Sequence, residues 1–487
     1  MRQKKQEWLG NIKGDLLGGI VVCMALIPEA IGFSIVAGVD PMVGVYASFC
    51  ISLITSIFGG RTGLISAAAG ATALVLASLV KSHGVEYMFA ATILTGIIQI
   101  ILGYLKIGNL MKFIPKPVMI GFVNSLGILM FQSQMGHFKG SPILLVLGSL
   151  GIAIVVLLPK VTKTIPAPIV AIIIITIIVS VFNIDIKTLG DMGRITTELP
   201  KLLIPNVPFN METLSIILPY SISVALVGIV ESLLTAQLVD DLTDTPSDKN
   251  RECVGQGLGN VVTGFFGGIA GCGMIGQTII NNNYGGRGRL STLTAGTAML
   301  FSVIILNKFV VQIPVVSLAA VMVVVSISTF NWGSLKRIKK VPKSDTLVMV
   351  STVVVVLVTH NLAYGVIVGI ILSAITFASK ISEINVKKHE VHGYVKYEVK
   401  GQLFFASTTE FINSFDYNEN VNTIDIDFTN VKVWDESAVD AIDKVVIKYH
   451  KNGIETNLIG LSSSCLELID DMAIYNKPGG LEVVSGH

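Results

Sequence analysis

Long apolar runs, broken by short polar stretches, set the pattern of this chain up to about residue 380. Residues 170–181 are almost unbroken Ile and Val, and residues 348–358 are similar. Runs near 20 residues match a bilayer core of about 30 Å. In lipid such runs must be helical, because an unpaired backbone group there costs several kcal/mol. That requirement overrules the β preference of Val and Ile. The pattern predicts fourteen membrane segments, at roughly 15–36, 41–58, 63–80, 88–105, 117–134, 143–159, 166–183, 213–239, 253–269, 272–283, 290–307, 313–330, 345–360 and 362–380. Segments three and ten are short and rich in Gly and Ala.

After Lys380 polar residues become frequent and strands alternate with helices. Residues 394–405 read as strands broken at Gly401, and 423–428 as another strand. Asp435 can cap a helix on which Val439, Ile442, Val446 and Tyr449 share one face, ending at Gly453. A strand over 454–461 and a helix over 464–472 follow. The division expected is a membrane domain over 1–380, a charged linker over 381–390 and an α/β domain over 391–487.

Loop charge orients the segments. With the N-terminus inside, the inner loops hold Arg61; Lys106, Lys112 and Lys116; Lys160 and Lys163; Arg287 and Arg289; and Lys336, Arg337, Lys339, Lys340 and Lys343. The short outer loops hold little beyond Lys81, Lys139 and Lys308. This follows the positive-inside rule and gives an even number of spans. The plasma membrane is the expected location, with both the N-terminus and the C-terminal domain in the cytoplasm. The start, though basic, leads into an apolar segment too long for a signal-peptide core, so it reads as a retained first helix.

Composition narrows the function. Only 14% of the 487 residues are charged and 52% are hydrophobic, against roughly a quarter charged in soluble proteins. The net charge of +2 comes with no basic stripe, so nucleic acid is not an expected partner. Five scattered cysteines show no metal spacing and no disulfide framework. No HExxH, Walker A or nucleophile–base pattern is present, which argues against an enzyme or an ATP-driven pump.

Charged residues inside membrane segments are rare and usually functional. Glu231 lies in segment eight and Glu29 follows Pro28 in segment one, equivalent places if the chain is two seven-helix halves. The bland alternatives are a structural glutamate at 231, and a Glu29 that caps amides freed where Pro28 breaks the helix. A second signal is the pair of small-residue stretches Ser66-Ala67-Ala68-Ala69-Gly70-Ala71-Thr72 and Gly267-Gly268-Ile269-Ala270-Gly271-Cys272-Gly273-Met274-Ile275-Gly276-Gln277-Thr278. Glycine-interrupted segments at matching positions point to a transporter binding site. Half-helices beginning mid-membrane would turn free N–H groups and positive dipole ends on an anion. Tight packing through small residues is the competing reading. Gln277, Thr278 and Asn281 to Asn283 would mostly satisfy backbone where the half-helix ends.

These residues resemble the SulP (sulfate permease) anion transporters, including their bicarbonate transporters. Gly14-Asp15-Leu16-Leu17-Gly18-Gly19-Ile20, Ile27-Pro28-Glu29-Ala30-Ile31-Gly32-Phe33 and Pro41-Met42-Val43-Gly44-Val45-Tyr46 look like the first family signature. Glu231-Ser232-Leu233-Leu234-Thr235, Gly255-Gln256-Gly257-Leu258-Gly259-Asn260 and Gly264-Phe265-Phe266-Gly267-Gly268 look like the central one, followed by Arg287-Gly288-Arg289-Leu290-Ser291. The tail resembles a STAS domain. The resemblance implies a seven-plus-seven inverted repeat. Segments one to four and eight to eleven form a core that shifts like an elevator against a gate, usually in a homodimer. Substrate would lie between segments three and ten, at Ala69 and Gly70 and at Gly273, Met274 and Ile275, with Gln277 a further candidate. In sodium-coupled members a carboxylate and a threonine four residues later bind sodium; those positions match Glu231 and Thr235. Here Glu231 replaces the usual Asp, and Ala69 and Ile275 replace side chains with polar groups. Sodium coupling is therefore second choice to proton coupling, since a glutamate withdrawn from water can carry a proton. In the tail, Asp435-Glu436-Ser437-Ala438 stands where STAS regulators carry a phosphorylatable serine, leaving Ser437 as the hydroxyl. A cytosolic partner at this domain is a further expectation. A small inorganic or organic anion such as sulfate, bicarbonate or a dicarboxylate is the expected substrate, with no cofactor besides the coupling ion. A nucleobase permease of the same fold, and a non-transporting sensor or channel, are the alternatives.

Overall fold

Each of the fourteen apolar segments carries a helix in the computed structural model, which describes residues 2–162, 166–193, 195–391 and 394–477. Lys163, and residues 392–393 and 478–487 of the expected tail domain, lie outside the described residues. The first half runs α1 (Ile12–Ala37), α2 (Pro41–Phe58), strand β1 (Ser66–Ala68), α3 (Gly70–His83), α4 (Val85–Tyr104), α5 (Lys116–Gln134), α6 (Pro142–Val161) and α7 (Ala167–Val181). The second runs α8 (Met211–Thr243), α9 (Lys249–Phe265), strand β2 (Gly271–Gly273), α10 (Ile275–Asn283), α11 (Arg289–Ile305), α12 (Val315–Thr329), α13 (Lys343–Thr359) and α14 (Leu362–Ile381). Among the described residues, eight helices are long and apolar enough to cross a membrane. At about 1.5 Å per residue, α3 and α10 reach only about 21 and 14 Å, less than the bilayer core.

Helix packing repeats with an offset of seven. The α4–α9 contact has its counterpart in α11–α2, and α1–α11 in α8–α4. Likewise α5–α13 mirrors α12–α6. One bundle is α1–α4 with α8–α11; the other gathers α5, α6 and α7 around α12 and α13. This is the inverted repeat that the resemblance implies. Pro28 does not break its helix: α1 continues through it to Ala37. A proline removes one backbone hydrogen bond, and in a packed membrane helix the neighbours absorb that loss.

The chain divides into two compact units, Met1–Ile370 and Ile371–His487. The second unit holds β3 (Asn385–Val391), β4 (Tyr394–Leu403), α15 (Thr408–Asn413), β5 (Thr423–Val433), α16 (Glu436–Lys451), β6 (Glu455–Ile459) and α17 (Ser463–Met472). Its sheet has the order β3-β4-β5-β6; β3 is antiparallel to β4, and β4, β5 and β6 are parallel. Two expectations need correction. Residues 381–390 are not a plain linker, because β3 occupies most of them. Its charges misled because β3 is an edge strand, paired on one side and turned to solvent on the other. Gly401 does not divide β4 into two strands. Its φ of +130°, just past a register shift between Glu398 and Lys400, lets the strand bulge and continue. The Asp435 cap is as expected, its carboxylate accepting from the Ala438 N–H at 3.0 Å. Val439, Ile442, Val446 and Tyr449 are all buried.

Candidate functional site

Two three-residue strands form the centre of the membrane unit. β1 and β2 are antiparallel, Ser66 opposite Gly273 and Ala68 opposite Gly271. Every residue in both is buried. The half-helices leave from their ends: α3 starts after Ala69 and α10 after Met274, and neither start has a side-chain cap. Their first amides are therefore available to a ligand. The half-helix and tight-packing readings both hold. A Cβ on Gly271 would lie 2.6 Å from the Ala67 carbonyl carbon, and one on Gly273 3.1 Å from Ser232 Cα.

Extended backbone at this depth is tolerable only if its polar groups are paired, and buried side chains do much of that pairing. Glu252, Gln256 and Asn260 fall on one face of α9 at four-residue spacing. Glu252 Oε2 accepts from Gly60 N and Arg61 N at 2.7 and 2.9 Å. The Gln256 amide donates to Ser66 Oγ at 2.5 Å and to Glu252 Oε1 at 2.8 Å. Asn260 accepts from Gly271 N at 2.9 Å, and donates to Gly271 O at 3.1 Å and to Gln99 Oε1 at 2.8 Å. From the other side Ser232 Oγ accepts from Gly273 N at 2.8 Å, and Thr72 donates to Ala270 O at 2.6 Å. Thr278 Oγ1 accepts from Ile65 N at 3.0 Å, and Asn281 donates to Gly63 O at 2.8 Å. These two do satisfy backbone, as expected of them; Gln277 does not.

A cavity of about 580 Å³ opens beside the crossing. Ala69, Gly70, Met274, Ile275 and Gln277 line it, and so do both acids, Glu29 and Glu231. Among the described residues, no lysine or arginine lines it. The Gln277 amide donates to Glu29 Oε2. Gly273 and Thr235 are not on the wall. Gly273 lies within β2, and the Thr235 hydroxyl donates towards Glu231 O at 2.8 Å and Gly273 O at 3.2 Å. Sequence reasoning missed three contributors. The Cys272 thiol donates to Glu231 Oε2 at 3.0 Å, a pairing across 41 positions that no local spacing signals. Phe33 and Phe122 line the wall, as any apolar helix residue could. Ser328 and Thr329 bring α12, from the other bundle, to the same cavity. In the C-terminal unit, Ser437 is the second residue of α16 and is exposed.

Paired half-helices, one from each repeat, that meet at a cavity walled by two bundles are the arrangement of a transporter rather than an enzyme. The sulfate permease family matches residues 12–146 and 140–352, and the STAS domain matches 383–478. The chain belongs to the sulfate permease family and is an anion transporter with a C-terminal STAS domain. It is 56% identical over 473 residues to the putative sulfate transporter YbaR of Bacillus subtilis, covering 96% of this chain and 98% of that one. The transmembrane domain of the cyanobacterial bicarbonate transporter BicA superposes with a TM-score of 0.66 at 28% identity, covering 75% of this chain and 97% of that chain. The murine Slc26a9 anion transporter shares the fold, with a TM-score of 0.82 at 17% identity over 97% of this chain and 89% of its own.

Proposed function

We propose that this protein carries a small anion of the sulfate, bicarbonate or dicarboxylate class together with a proton. One observation carries the reading. Two uncapped half-helix starts and two carboxyl groups share a cavity that, among the described residues, no lysine or arginine lines. The anion is held by the first amides of α3 and α10, from Gly70 and from Ile275, beside Ala69 and Met274 on the wall; Gly273, whose N–H is given to Ser232, braces the crossing behind them. The dipole ends supply the attraction. An ionised Glu231 or Glu29 on the same wall repels that anion, and a protonated one does not. Binding of anion and proton are thus mutually favourable, and linkage makes the effect reciprocal. Glu231 is the proton carrier, with Thr235 bracing its helix and Glu29 and Gln277 in support. Sodium is the second choice. It would want oxygen ligands, whereas the Cys272 thiol already occupies Glu231 Oε2, and sulfur suits softer metals.

Both bundles wall the cavity, which suits an elevator-type shift of α1–α4 and α8–α11 against the rest. The protein works in the plasma membrane as a homodimer. Its N-terminus and STAS domain lie on the cytoplasmic side, where the STAS domain can meet a partner and Ser437 is open to modification. Uptake by proteoliposomes tests the coupling. An acidic exterior alone should drive accumulation of at least one of sulfate, bicarbonate or a dicarboxylate. Accumulation driven by a sodium gradient alone would overturn proton coupling, and an uncoupled electrogenic current would favour a channel.

A further inference from the structure

Sharing no lining residue with the central cavity, a pocket of about 150 Å³ lies between the start of α5, α13 and the short helix Trp332–Arg337. Lys116, the first residue of α5, and Arg337 line it, with Ser334, Thr346, Val341 and one acid, Asp345. Lys336, Lys339, Lys340 and Lys343, all exposed, flank its lining residues Arg337, Val341 and Asp345 along the chain. Among the described residues none of these six cations makes an ion pair. Some cations elsewhere in the membrane unit are paired. Arg61 and Lys249 meet Asp240 at 3.1 and 2.6 Å, and Arg289 meets Glu7 at 2.7 Å. Like charges that outnumber the single acid beside them repel, and an anion entering the cluster relieves that repulsion.

The surroundings say which anion. α5 and α13 both begin at this pocket, and neither start has a side-chain cap, so two positive dipole ends add to the cations. Asp345 in the first turn of α13 offsets part of that charge. Trp332, Leu335 and Leu347 stand nearby with about half of their surface exposed (54%, 49% and 53%). A tryptophan at the end of a membrane bundle marks the headgroup level. Free phosphate would gain nothing from an apolar flank; a lipid gains a bed for its acyl chains. We propose that this pocket holds the phosphate headgroup of an anionic phospholipid.

Native mass spectrometry of the full-length protein in detergent tests this, with phosphatidylglycerol and phosphatidylcholine of identical acyl chains titrated in turn. Phosphatidylglycerol should be retained and phosphatidylcholine lost. The double variant Lys116→Gln/Arg337→Gln should weaken phosphatidylglycerol binding roughly 30-fold, about fivefold per charge. Equal retention of the two lipids, or a double variant that binds like wild type, overturns the proposal. So does displacement of the lipid by millimolar inorganic phosphate, which would make free phosphate the ligand. If the double variant does not fold, the wild-type melting temperature decides. Phosphatidylglycerol must raise it where phosphatidylcholine does not.

Discussion

Gly257 and Gly259 are two residues apart on α9, yet the same substitution at each should act in opposite directions. Gly257 faces α4. A Cβ there would lie 2.6 Å from Gly96 O, 2.7 Å from Ile100 Cγ1 and 2.8 Å from Ile100 N. The reciprocal Cβ on Gly96 would lie 2.6 Å from Val261 N. Ordinary carbon contacts begin near 3.5 Å, so the two helices would have to part by about 1 Å. Two of the three obstacles at Gly257 are backbone atoms, which cannot turn aside. Overpacking of this kind costs about 1–3 kcal/mol, against a gain of about 1 kcal/mol for alanine in a helix. Gly259 meets Ile51 at 3.5 and 3.6 Å and Thr55 Cγ2 at 3.7 Å, which is ordinary contact. Gly259→Ala should therefore gain up to about 1 kcal/mol, and Gly257→Ala should lose up to about 2. The assay is the apparent melting temperature of the two full-length variants in one detergent at one scan rate, since membrane-protein unfolding is often irreversible. A Gly257→Ala protein that melts at or above Gly259→Ala would refute the reasoning.

Three further outcomes follow from the same geometry. Asn260→Ala strips Gly271 N, Gly271 O and Gln99 Oε1 of partners, at about 1–3 kcal/mol per buried group. Size-exclusion chromatography should show little monodisperse protein, while Asn260→Asp, which keeps the acceptor for Gly271 N, recovers part of it. In the STAS domain, Asp435→Ala removes the α16 cap and the acceptor of Phe405 N. It should cost about 1–2 kcal/mol, read as a lower urea midpoint by Trp434 fluorescence. Asp427 is held below the usual carboxylate range, at about 2 against 3.8, by Lys396 and then Thr429. A depressed carboxyl contributes stability that is present above 3.8 and is lost as pH falls through 2. An NMR titration of its side-chain carboxyl should show a midpoint well below 3.8, and in Lys396→Met that midpoint should rise.

Much of this architecture is legible in the sequence because the bilayer simplifies it. Where only helices span, an apolar run of Ile and Val has one outcome, and helix positions follow from run lengths. The half-helices were legible as glycine-rich segments at matching positions. Their extended lead-ins, β1 and β2, were not, since three residues carry no period. Of the ladder, Gln256 and Asn260 were visible only as part of a glycine signature and Glu252 lay outside it, because the partners Gly60, Ser66 and Gly271 belong to other segments. Cys272 facing Glu231, and Ser328 and Thr329 facing the cavity, depend on how helices pack, which local pattern does not encode. Pro28 and Gly401 misled in the same way. Each breaks regular structure in isolation, yet α1 runs on through Pro28 and β4 continues past Gly401 through a bulge.

The central claim is that Glu231 couples anion movement to a proton. Proteoliposomes bearing wild type or Glu231→Gln, loaded with buffer and exposed to labelled anion under an acidic exterior, test it most directly. The account predicts that wild type concentrates the anion. Glu231→Gln should lose accumulation yet still exchange labelled for unlabelled anion, which shows that it is folded. Accumulation by Glu231→Gln equal to wild type would contradict it.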